Sequence, residues 1–124
     1  MQQFDLANKE KFKKWLYFSS IHDSEIENVQ YDSCKSTLVL KISNAIDKVH
    51  FQMTFVGVKK LLFINEDRWG DDQSVSSLTV EDDYTPISAL NGPSPVSDEK
   101  YLYLVFQMFS GNELHILVEK LLIE

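Results

Sequence analysis

Cysteine is nearly absent from this 124-residue chain: Cys34 stands alone, so no internal disulfide can form. A reducing compartment suits such a chain, and the expectation is a cytoplasmic protein. Glycine is scarce too. Gly57, Gly70, Gly92 and Gly111 are the only four, which leaves no glycine-rich phosphate loop. All three prolines (Pro86, Pro93, Pro95) fall in one short stretch. No apolar run approaches the roughly 18–20 residues a membrane helix needs, so no membrane partner is expected. The start, Met-Gln-Gln-Phe-Asp, lacks a basic segment followed by an apolar one and does not read as a signal peptide. His22, His50 and His115 are far apart, and none pairs with Cys34 or another histidine at metal spacing. Neither metal nor cofactor is expected.

Positive charge is also in short supply. Twelve Lys and Arg face nineteen Asp and Glu, a net charge of −7. Binding to a phosphate backbone needs the reverse, so nucleic acid is not an expected partner. The balance permits a basic protein partner; it also serves solubility alone. What is abundant is core material. Eight Phe, five Tyr and two Trp, within 44% hydrophobic and 25% charged residues, describe an ordinary globular chain, read as a single domain over 1–124.

Residues 5–18 carry helical periodicity. Phe12, Trp15 and Leu16 fall at i, i+3 and i+4, with Lys9, Glu10, Lys11, Lys13 and Lys14 elsewhere. Asp5 or Asn8 can cap the start. The lysines suit an anionic surface or simply a solvated face. From residue 25 the period becomes two. Residues 25–32 read as a strand whose apolar Ile26, Val29 and Tyr31 shift phase, which implies a bulge or twist. Asp32-Ser33-Cys34-Lys35 makes a tight turn. Leu38, Leu40 and Ile42, then Val49, Phe51, Met53 and Phe55, form a hairpin with one buried face. Gly57 interrupts the next run, and Lys60–Ile64 reads as a separate strand after a bend.

Val75–Val80 is a further strand, and residues 82–99 form a long loop, expected to be mobile and to order on binding. Tyr101–Phe109 and Glu113–Ile123 make a C-terminal hairpin about Ser110-Gly111-Asn112. Its first strand is apolar on both faces, so it should be covered twice, by the helix, a second sheet or a second subunit. That last option makes the hairpin a candidate homo-oligomer contact. The expected fold is α+β: a mostly antiparallel sheet of about six or seven strands, a sandwich or half-barrel, with one N-terminal helix packed on it.

Two constellations stand out. His22, Asp23 and Ser24 lie where helix passes to strand. Successive residues of an extended chain point oppositely, so they cannot form a catalytic relay. The expected role is structural, with His22 packing on the helix and Asp23 accepting backbone hydrogen bonds; contact with a partner is the alternative. The second is Glu66, Asp67, Trp69, Asp71 and Asp72, continued by Glu81, Asp82 and Asp83. The carboxylates lack the spacing of a calcium loop. They suit an acidic face for a basic partner, with Trp69 as an anchor, or an acidic turn whose Trp covers the core. His50 and His115 fall on polar phases of strands and are expected to be exposed.

Trp15, His22-Asp23-Ser24-Glu25-Ile26, Leu38, Leu40, Phe55, Gly57-Val58 and Trp69-Gly70 occur in an order similar to small uncharacterised bacterial proteins, some of them grouped with the immunity proteins of polymorphic-toxin systems. The resemblance spans roughly residues 12–70. It implies a non-enzymatic protein that masks a toxin, and a basic toxin such as a nuclease fits the acidic chain. The alternative expectation is a small-ligand-binding or regulatory domain, with a pocket between helix and sheet lined by Phe and Tyr.

Overall fold

A computed structural model of the chain describes residues 2–19, 21–65, 74–81 and 101–124. Strand β1 (Gln2–Asp5) leads through a 3-10 turn (Leu6–Asn8) into helix α1 (Lys9–Phe18). Asp5 caps the turn: its Oδ1 accepts the Asn8 amide at 3.2 Å, and Asn8 Oδ1 accepts the Asp5 amide at 2.6 Å. Six strands follow: β2 (Glu25–Asp32), β3 (Thr37–Asn44), β4 (Val49–Ile64), β5 (Val75–Glu81), β6 (Leu102–Met108) and β7 (Glu113–Ile123). All pairings are antiparallel, in the order β2-β3-β4-β7-β6-β5, with β1 on the C-terminal part of β7. Among the described residues, the α+β class, the N-terminal helix and a mostly antiparallel sheet of about six or seven strands are as the sequence implies.

The sheet is open and strongly curled. β4 serves two neighbours, pairing with β3 over Val49–Val56 and with β7 over Met53–Ile64. Gly57 bends it at φ +76° with a register shift just beyond, so Lys60–Ile64 continues β4 and is not a separate strand. A left-handed glycine bends a strand without ending its ladder. The curl brings Glu25, at the start of edge strand β2, to bridge Ser74, just before the opposite edge strand β5. Among the described residues the two edges touch at that corner without closing a barrel.

Alternation fixes what is buried. Leu38, Leu40, Ile42, Met53, Phe55, Leu104, Phe106, Ile116 and Leu121 line the core face at 1% exposure or less. Phe12 of α1 is fully buried on this face against Phe4, with ring centroids 4.9 Å apart, while Trp15 and Leu16 are only partly buried. The doubly apolar β6 is buried on both sides. Leu102, Leu104 and Phe106 enter the main core, and Tyr101, Tyr103, Val105 and Leu117 form a second cluster on the opposite face. Both faces are thus buried within one chain.

Candidate functional site

Helix α1 ends at Ser19, and Ile21 drops into the core at 4% exposure. The chain then reverses at Asp23, whose φ of +67° is left-handed, a conformation Asp tolerates better than most residues. The Asp23 amide donates to the Val75 carbonyl at 2.8 Å, and the Val75 amide donates to the Ser24 carbonyl at 2.6 Å. Ser24 is fully buried. Asn44 Nδ2 donates to the His22 carbonyl at 3.3 Å, while Asn44 Oδ1 accepts the amides of Ile46 and Asp47. Backbone bonds therefore tie this junction to β5, and the Asn44 side chain ties it to the β3–β4 turn.

The side chains behave differently from expectation. His22 does not pack on α1. Its ring stands edge-on to Phe109 in the β6–β7 turn, with centroids 5.9 Å apart, and its side chain is 63% exposed. The Asp23 carboxylate meets His22 Nδ1 at 3.1 Å instead of accepting backbone amides. Asp23 caps nothing because its own amide, not its side chain, closes the reversal. With Ser24 buried and His22 in solvent, the two hold no common reacting position.

The acidic cluster is divided. Glu66, Asp67, Trp69, Asp71, Asp72, Asp82, Asp83 and the loop 82–99 lie outside the described residues. Glu81 is exposed at the end of β5, where its carboxylate accepts from Thr79 Oγ1 at 2.7 Å.

A second acidic feature is described in full. β2 is exposed at every position except the partly covered Ile26. It carries Glu25, Glu27 and Asp32 and no Lys or Arg. A register shift between Ile26 and Asn28 leaves Glu27 as the bulged residue, which explains the phase shift of its apolar positions. Glu27 accepts from Ser43 Oγ, and Asp32 Oδ1 accepts the amides of Cys34 and Lys35 to form the tight turn. Val29 and Tyr31 point to the core side yet remain 44% and 46% exposed, because no described residue covers this end of the sheet. Beyond Ile26 the outer edge of β2 pairs with no described residue. In the sequence β2 reads only as a strand; its functional signal is three carboxylates with no Lys or Arg among residues 25–32.

A further polar group is buried on the opposite face of the sheet. His115, expected in solvent, is 7% exposed, with Nδ1 2.6 Å from Tyr103 Oη and Nε2 3.2 Å from Glu113 Oε1. Its phase is polar only relative to the main core, and the second cluster buries it. His50 is exposed, as is Cys34. Among the described residues, no three His, Cys, Asp or Glu gather as metal ligands, and no helix is long and apolar enough to cross a membrane.

No protein-family model and no curated protein matches the sequence. The fold is similar to that of an uncharacterized protein from Neisseria gonorrhoeae known from its crystal structure. The TM-score is 0.54 at 9% identity, over 100% of this chain and 98% of that one. At that identity the likeness concerns fold alone.

Proposed function

We propose that the protein is a non-enzymatic, cytoplasmic binding protein that holds a basic protein partner, in the way an immunity protein masks a toxin. The observation that supports this is the acidic edge of β2, which beyond Ile26 pairs with no other described residue. An exposed strand edge offers a row of backbone donors and acceptors, and an incoming extended segment adds to it as a further strand. Affinity then comes from main-chain hydrogen bonds and selectivity from side chains at alternate positions. Here Glu25, Glu27 and Asp32 favour a segment bearing Lys or Arg, and Val29 and Tyr31 supply apolar contact.

The same charges argue against self-pairing. A second β2 laid antiparallel and centred on the first sets Glu25 opposite Asp32, a like-charge contact that disfavours edge-to-edge association. The carboxylates at 66–72 and 81–83 join the proposal on their chemistry, since added negative charge speeds capture of a cationic partner.

The test is titration with an extended peptide of alternating Lys and Val, against its Glu-Val counterpart. The basic peptide should bind, weaken as salt rises, and lose roughly tenfold in affinity to a Glu25→Lys, Glu27→Lys variant that keeps the turn-forming Asp32. Equal binding of the two peptides, or an unchanged affinity for the variant, would falsify the reading.

A further inference from the structure

A cleft of about 540 Å³ opens between α1, β1 and the start of β4. Its apolar walls are Phe4, Trp15, Phe18 and Phe51, and Lys11 and Lys14 stand at its rim. The lining is Phe and Trp, where the sequence suggested Phe and Tyr. Trp15 is fixed by its neighbours: Phe51 meets it edge-on at 5.9 Å, Phe12 stacks on it at 6.1 Å, and Phe4 lies 6.3 Å away. The floor is therefore a built aromatic surface. Phe18, 83% exposed, forms an outer wall.

The charge at the rim is unusual for this molecule. The only acid on α1, Glu10, faces Lys13 at 3.6 Å. Lys11 and Lys14 make no ion pair among the described residues, and no carboxylate lines the cleft. A chain of net charge −7 thus sets beside its aromatic cleft two ammonium groups that meet no carboxylate among the described residues. Spaced i, i+3, they rise from one side of the helix about 5–6 Å apart at Cβ, close enough to share one carboxylate.

We propose that this cleft binds a small ring-bearing carboxylate, its flat body against Trp15 and Phe51 and its carboxylate between Lys11 and Lys14. Aromatic walls favour a planar body, since offset and edge-on ring contacts add to plain area burial. The volume lies within the range of roughly 300–1,000 Å³ typical of small-ligand sites. The site lies apart from the β2 edge and does not depend on that edge binding anything.

The probe pair is 2-naphthoate and its neutral isostere 2-naphthamide, titrated into isotopically labelled protein. The Trp15 indole N–H signal is followed in a Trp69→Phe background, which leaves one tryptophan. The carboxylate should give a saturable shift of that signal and bind roughly five- to tenfold more tightly than the amide, a preference in keeping with two partly exposed charge contacts. The Lys11→Gln, Lys14→Gln variant, with signals away from the cleft unmoved, should bind both probes alike, and Lys11→Arg, Lys14→Arg should restore the preference. No saturable shift, equal binding of the two probes by the parent protein, or a preference that survives in the glutamine variant would each overturn the assignment.

Discussion

Tyr103 and His115 face one another across β6 and β7, with Oη and Nδ1 2.6 Å apart and both residues buried. Their rings stack at 5.8 Å. A buried polar atom that loses its partner costs far more than the net worth of the bond, because its desolvation is no longer offset. Tyr103→Phe should therefore destabilise the fold by about 1–3 kcal/mol, read as a lower urea midpoint at unchanged slope. Tyr103→Phe with His115→Leu should recover part of that loss, since no orphaned nitrogen remains. A double variant as unstable as the sum of the singles would mean the two residues do not act as a pair.

Gly57 lies opposite Glu119 across the β4–β7 ladder. A Cβ on Gly57 would fall 2.8 Å from the Glu119 carboxylate, at a φ of +76° that disfavours any side chain. Gly57→Ala should cost about 1–3 kcal/mol, from backbone strain plus the contact. Adding Glu119→Ala should relieve only the contact. Calorimetric melting of the four-member cycle separates the two parts.

At the helix–strand junction the backbone carries the connection, and the variants should report it. Asn44 is 3% exposed and serves three backbone groups, so Asn44→Ala should cost about 1–3 kcal/mol. His22→Ala removes an exposed pair and should cost no more than about 1 kcal/mol. Asp23→Gly should be neutral or stabilising, because glycine adopts the left-handed conformation freely. A large loss at His22 would restore the expectation that its side chain holds the junction.

Phe12→Ala should lower stability by about 3–5 kcal/mol, since Phe12 is fully buried. Trp15→Ala should cost less, because one side of its ring faces the cleft. Equal losses in thermal or urea unfolding would place Trp15 as deep as Phe12.

Much of the fold was legible because alternation is a local signal. β2 was readable to both ends, and its bulge from the misphased Ile26, Val29 and Tyr31. The helix was legible from Phe12, Trp15 and Leu16, but its first residues were not, since Asp5 caps a 3-10 turn ahead of α1. β1 was invisible: Gln-Gln-Phe-Asp has too few residues to show a period, and only pairing with the distant end of β7 makes it a strand. His115 was misplaced for a different reason: it lies on the polar phase of β7 relative to the main core, and the second cluster on the opposite face buries it. At the sites, Lys11, Lys14 and the β2 carboxylates were visible as residues. That the two lysines meet no described carboxylate beside an aromatic cleft, and that β2 lies at the edge of the sheet, depends on tertiary placement, which no local pattern encodes.

The most direct test of the β2 edge is amide hydrogen exchange with and without the alternating Lys-Val peptide at saturation. Strand addition should slow exchange at alternate amides between Ile26 and Asp32, those pointing away from β3, and leave the amides of β5 unchanged. Slowing confined to β5, or no protection anywhere on β2 while the peptide is bound, would contradict the proposed binding edge.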